Sequence, residues 1–170
     1  CAAEQRAAAR DQPAEQHGRK HAAAEILECE HRRREADADD RKALEIDLAL
    51  LGHDVALWGN EPADLAAMEA ARENRKFLPG IPLPDRIKVQ AELEAALAQA
   101  DLTLFVVPSA AVREVAGRVA GIGARGVWVS AVKGFEQGSL KRMSEVLTEF
   151  RAAESAVVLT GPSHAEEVSR

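Results

Sequence analysis

The chain has 170 residues, 46% of them hydrophobic, and a formal net charge of −6. That length fits one ordinary domain with a core of its own, and the acidic balance argues against a general affinity for nucleic acid or an anionic membrane surface. No apolar run comes near the roughly 18 residues that span a bilayer, so no membrane span is expected. The chain opens on its most charged part. Residues 1–42 hold 19 charged residues and 11 alanines, with Ile26 and Leu27 as the only large aliphatic side chains. Such a segment buries too little apolar surface to offset its ordering entropy, so a charged arm, helical or disordered, is expected. "HAAAEILECEHRRRE" favours helix by composition, and a buried parallel strand, which calls for a Val/Ile/Leu run, is not expected there. His17 and His21 share a helical face, but with Cys29 and His31 they complete no zinc motif, and no metal site is expected. Cys1 and Cys29 are too few for a disulfide framework. The start "CAAEQRAAAR" has neither an initiator Met nor the apolar stretch of a signal peptide, so a fragment or processed chain in the cytoplasm is the expectation.

From residue 43 the character changes. "ALEIDLALLG" has apolar residues at helical spacing and a glycine C-cap, Gly52. "HDVALWG" (53–59) reads as a strand. "EPADLAAMEAARENRKF" reads as a helix with Pro62 in its first turn. "LPGIPLPD" (78–85) is too rich in proline for either regular structure. "QAELEAALAQA" is helical, and "DLTLFVVP" (101–108) is a buried strand closed by Pro108. "AAVREVAGRVAG" is helical, "GVWVSAVKG" (126–134) is a strand entering a glycine turn, and "SLKRMSEVLTEF" is helical. "SAVVLTGPS" (155–163) is a strand meeting a turn, and "HAEEV" begins another helix. This alternation predicts a doubly wound parallel sheet with helices on both faces. Right-handed crossovers would gather the polar turns Gly59-Asn60, Pro108-Ser109, Lys133-Gly134 and Gly161-Pro162-Ser163 on the carboxyl edge, where such folds bind ligands.

The blocks "GHDVALWGNEPADLAAMEAARENRKFLPGIPLP", "VVPS", "VSAVKGFEQGSLKRMSEVL" and "TGPSHAEEV" together resemble bacterial NAD(P)-dependent sn-glycerol-3-phosphate dehydrogenase, in order from about Ala43 to the last residue. The resemblance implies a Rossmann-like cofactor domain over 43–170, followed in the family by a helical substrate domain that is expected to be absent from this chain. It implies NAD or NADP as cofactor, and dihydroxyacetone phosphate and sn-glycerol 3-phosphate as substrate and product, in a reversible reduction serving phospholipid synthesis. A homodimer in the full-length family is also implied. The family opens with a short apolar strand and a glycine-rich loop. Laying "KALEIDLA" (42–49) on the helix that follows puts Ala36, Ala38 and Arg41 on its three glycines and "EHRRRE" (30–35) on the strand. The sheet is therefore expected to be incomplete, lacking its first strand and its pyrophosphate loop. The methyls of Ala36 and Ala38 and the bulk of Arg41 would hinder close backbone approach to a pyrophosphate, and Asp37, Asp39 and Asp40 would repel it. The family's general acid/base lysine falls beyond Arg170. No catalytic residue is therefore expected within the chain, and the chain by itself is expected to be inactive.

The resemblance makes Lys133, in "VKGFE", a contact to both substrate and cofactor, and Gly161 and Ser163 substrate contacts. Ala165 becomes a backbone contact to the cofactor, with Asn60, Phe77 and Pro108 also on the cofactor side. Each has a plainer reading. Lys133 suits phosphate as a point charge but could be a solvated turn lysine. Ser163 with Glu166 spells a capping box, compatible with an anion site at the same helix start. Asn60 stands near where NAD-selective folds place Asp or Glu for the ribose 2′-hydroxyl, can bond either ribose form, and could be a turn asparagine. Phe77 replaces a frequent tyrosine and could lie near the adenine or simply hold its loop. Pro108 could be no more than the end of a strand. Two other classes stay open: a non-enzymatic binding module derived from a Rossmann domain, and a different Rossmann dehydrogenase, which would lack the "ENRKFLPGIPLP" loop.

Overall fold

A computed structural model describes residues 21–25, 44–152 and 156–160 of the chain. Its six strands are β1 (His21–Glu25), β2 (Asp54–Trp58), β3 (Ile87–Gln90), β4 (Leu102–Phe105), β5 (Val127–Ser130) and β6 (Ala156–Val158). Among the described residues, five helices stand between β1 and β6: α1 (Leu44–Leu50), α2 (Pro62–Ala71), α3 (Leu93–Leu97), α4 (Val112–Ile122) and α5 (Met143–Thr148). The strands form one sheet in the order β3-β2-β1-β4-β5-β6, and every neighbouring pair is parallel. This is the doubly wound order in which the chain reverses direction across the sheet between β1 and β4.

Alternation along the strands feeds two cores, one on each face. Phe105 and Val107 point into a cluster with Trp58, Trp128, and the buried sides of α3, α4 and α5: Leu93, Val112, Val115, Val119, Val146 and Leu147. Leu104 and Val106 point the other way, to Val55, Leu57, Ile87, and the buried sides of α1 and α2. Because both faces are covered, the central strands are nearly continuous apolar runs, as "LTLFVV" is. Phe105 and Trp128 meet with ring centroids 5.3 Å apart and planes tilted by 54°, an arrangement aromatic pairs favour.

Two expectations are corrected. The slot for the first strand is not empty: His21–Glu25 fills it, pairing His21 with Asp54 and Glu25 with Trp58 on one side, and Ala22 with Leu102 and Glu25 with Phe105 on the other. The segment that fills it lies upstream of "EHRRRE" (30–35). A parallel ladder is made by backbone N–H and C=O groups, which "HAAAE" supplies as well as a valine run does; side-chain composition was the wrong criterion. The helical or disordered arm therefore does not hold at 21–25, and the rest of 1–42 lies outside the described residues, as do Ala36, Ala38 and Arg41. The second correction is β3 (Ile87–Gln90), where the sequence suggests no strand and Gln90 reads as the start of a helix. Its Ile87 is buried while Lys88 is exposed, an edge strand too short for its alternation to stand out.

Candidate functional site

Since all strands run parallel, their carboxyl ends share one edge, and three described turns furnish it. At the end of β2, Trp58 is buried and its indole Nε1–H donates to the Ala91 carbonyl at 3.2 Å. Asn60 follows, exposed, and its Oδ1 accepts from Nη1 of Arg118 at 3.2 Å. Arg118 projects from α4, its guanidinium 4.7 Å from the centre of the Trp58 ring. At the end of β4, the exposed Pro108 gives its carbonyl to the Ala111 N–H at 2.9 Å, turning the chain into α4.

The end of β5 is the most tightly tied. The Ala131 N–H donates to the Phe105 carbonyl at 3.0 Å, and the Leu159 N–H to the Ser130 carbonyl at 2.8 Å, binding the strand end to both neighbours. The buried Ser130 hydroxyl accepts from the Val132 N–H at 3.3 Å. Lys133 then emerges exposed, followed by Gly134 at φ +97°, a conformation that suits glycine.

The loop after Lys133 is closed on itself and clamped to the helices. The Glu136 N–H donates to the Lys141 carbonyl at 2.9 Å, and the Leu140 N–H to the Glu136 carbonyl at 3.0 Å. Arg113, at the start of α4, bonds the Glu136 carboxylate twice, at 2.6 and 3.0 Å, and the Glu149 carboxylate twice, at 2.6 and 3.1 Å. Lys141 Nζ adds a bond to Glu149 at 2.7 Å, and the Ser139 hydroxyl donates to Glu136. The Arg113 guanidinium, helped by Ser139, holds Glu136 down at about 2, and Arg113 with Lys141 does the same for Glu149, also about 2. These carboxylates stay ionised to low pH and lock the "VKGFE" loop beside the strand end.

Asn60, Pro108 and Lys133 are thus brought to one edge by the topology. Phe77 is not part of that group of turns. It lies on the loop between α2 and β3, its N–H donating to the Asn74 side chain at 3.3 Å, with the Lys76 ammonium 5.0 Å from its ring centre. Gly161, Ser163 and Ala165 lie outside the described residues. Arg118, Arg113 and Glu149 did not stand out in the sequence. Their partners are 58, 23 and 36 residues away for the Asn60, Glu136 and Glu149 contacts, and no local pattern announces such pairings.

The donor set at this edge suits an anionic dinucleotide. It offers a guanidinium, an ammonium and an amide, and the guanidinium of Arg118 has no ion pair among the described residues.

A doubly wound parallel sheet with cationic and amide side chains along its carboxyl edge defines a Rossmann-like domain. The family model described as the N-terminus of NAD-dependent glycerol-3-phosphate dehydrogenase matches residues 42–170, and the chain belongs to that family. A glycerol-3-phosphate dehydrogenase of the NAD(P)+ type from Enterococcus faecalis is 44% identical over 126 residues, 72% of this chain and 37% of that protein. The corresponding protein of Bacillus mycoides is 44% identical over 130 residues, 74% of this chain and 38% of that one. The crystal structure of the Coxiella burnetii glycerol-3-phosphate dehydrogenase superposes with a TM-score of 0.72 at 31% identity, covering 88% of this chain and 43% of that one. The chain therefore spans less than two-fifths of the length of these curated relatives.

Proposed function

We propose that the protein is the cofactor-binding part of an NAD(P)-dependent sn-glycerol-3-phosphate dehydrogenase, which reversibly reduces dihydroxyacetone phosphate to sn-glycerol 3-phosphate for phospholipid synthesis. The observation that carries this reading is Lys133. It stands at the carboxyl edge of β5 on a loop that Arg113 and Glu136 hold in place, inside the span matched by the family. A bound nicotinamide cofactor supplies or accepts the hydride.

The chain's own residues bind and orient. The Lys133 ammonium serves as a point charge for the substrate phosphate or ketone oxygen. Asn60 offers an amide to the adenosine ribose, and Pro108 shapes the edge between them by its backbone. Gly161 and Ser163 take the substrate, and Ala165 the cofactor, beyond β6. Phe77 belongs to the cofactor side as the holder of its loop. The same reading carries a cytoplasmic location and a homodimeric full-length enzyme.

Fluorescence titration of the protein with NADH and NADPH, followed by dihydroxyacetone phosphate, tests the proposal. Saturable binding of a nicotinamide cofactor, with the phosphorylated ketone binding to the complex, is the expected result. No binding of either cofactor would sink it.

A further inference from the structure

Arg118 has more hydrogen-bonding capacity than the fold uses. Its guanidinium lies over the Trp58 ring at 4.7 Å and gives one nitrogen to Asn60 at 3.2 Å. It projects from α4 as an exposed side chain. Arginine has five N–H donors in a planar fork, and no carboxylate lies within ion-pairing distance of this one among the described residues. Arg113, by contrast, is paired with two acids, Glu136 and Glu149. Glu61 follows Asn60 at the N-cap position of α2 and makes no ion pair with Arg118.

The place matters as much as the chemistry. Trp58 ends β2, and in doubly wound dinucleotide domains the residue just past that strand meets the 2′ position of the adenosine ribose. An acidic residue there bonds a free 2′-hydroxyl and repels a phosphate. Here the position past the strand holds Gly59 and then neutral Asn60, and a guanidinium from the neighbouring helix is drawn up beside it. Lying over the Trp58 ring and bonded to Asn60, the fork loses less freedom when it engages an anion.

We propose that Arg118 binds a phosphate on the 2′ position of the adenosine ribose and sets this domain's preference for NADP over NAD. The proposal rests on the reading of the protein as an NAD(P)-binding domain, and it assigns the discrimination to α4 rather than to the turn after β2. Asn60 is then a positioning residue that orients the guanidinium.

The test compares adenosine 2′,5′-bisphosphate with adenosine 5′-monophosphate by calorimetry, with NADH titrated alongside. The wild-type protein is expected to bind the bisphosphate at least about tenfold more tightly, the contribution of one or two charge-assisted hydrogen bonds. Arg118→Met keeps an unbranched side chain on α4 and removes the donors. It is expected to bring the ratio to about one with monophosphate affinity unchanged, while Arg125→Met, in the turn between α4 and β5, leaves the ratio alone. An unchanged ratio in Arg118→Met, an equal loss for both nucleotides, or a wild-type ratio near one would each overturn the proposal. If NADH still binds in those cases, the dinucleotide reading survives. If neither nucleotide nor NADH binds the wild type, both fall together.

Discussion

Arg113 and Glu136 are joined by two hydrogen bonds, of 2.6 and 3.0 Å, across 23 residues of chain. Because Glu136 sits three residues after Lys133, this pair ties the loop that carries the candidate substrate contact to the first turn of α4. Its consequence is a pH dependence. Glu136 and Glu149 are held at about 2 in the folded protein, below the ordinary carboxylate value of 4.5. A lowered folded pKa contributes stability that is present above the unfolded value and is lost as pH falls toward the folded one. Thermal melts of wild type and Arg113→Ala should therefore differ at neutral pH, and the gap should close between pH 4.5 and 2. A gap independent of pH would mean that Arg113 acts only by packing on Phe150, whose ring centre lies 5.9 Å from its guanidinium.

Lys133→Ala should weaken binding of dihydroxyacetone phosphate to the cofactor complex by at least about tenfold, the value of a charge-assisted contact. Lys88→Ala, an exposed side chain on the edge strand β3, is the matched control and should change binding by less than about threefold. Lys141 looks like the natural control from the sequence, but it precedes α5 and pairs with Glu149 at 2.7 Å, so its removal would disturb the clamp as well. Equal small effects at Lys133 and Lys88 would reduce Lys133 to a solvated turn lysine.

Gly126→Ala should be among the most damaging small substitutions. Gly126 has φ +83°, and a Cβ there would come within 2.1 Å of the Asp101 carbonyl oxygen, the acceptor for the Val127 N–H at 3.0 Å. Backbone strain and displacement of that bond should together cost roughly 2 kcal/mol or more. Gly121→Ala, inside α4 with nothing within 4 Å of the added carbon, should instead stabilise by about 0.5–1 kcal/mol. Chemical denaturation of the two variants checks both signs.

Thr103→Val should be neutral or stabilising by up to about 1 kcal/mol. Thr103 is fully buried in β4 and its hydroxyl finds no hydrogen-bond partner among the described residues, so the substitution keeps the shape and removes a desolvated polar group. A loss of stability would reveal a partner for that hydroxyl.

What could be read in advance followed side-chain chemistry, and what could not followed backbone pairing and distance. "LTLFVV" announced a buried strand because both faces of β4 are covered, and Pro62 marked the first turn of α2. The same helix ends at Ala71, where Arg72 turns left-handed at φ 48°. The sequence read on as helix to Phe77, because "ARENRKF" has good helix formers and the bridge that folds the loop, Glu73 with Pro82, is not local. β3 was hidden by its two polar residues, and β1 by having no branched or aromatic residue at all. At the site, Lys133 and Asn60 stood out by residue type at strand ends. Arg118 and Arg113 looked like ordinary helix surface, because only the fold brings α4 against β2 and the "VKGFE" loop.

The alanine-rich β1 also governs how the molecule opens. Among the described residues, the backbone ladder joins the β3-β2 half of the sheet to the β4-β5-β6 half only through this strand. Its neighbours on both sides belong to well-packed clusters. Under native conditions amide exchange should resolve two protected blocks that lose deuterium separately, since cooperative units open according to local stability. The amides of Ala22, Ala23 and Ala24 would exchange sooner than those of Leu57 or Leu104 beside them. The seam would then be the weakest line in the sheet, at the crevice between β1 and β4 where a dinucleotide would lie. A bound cofactor spanning both halves would slow exchange along the whole seam, because a ligand that binds only the closed form stabilises it by mass action.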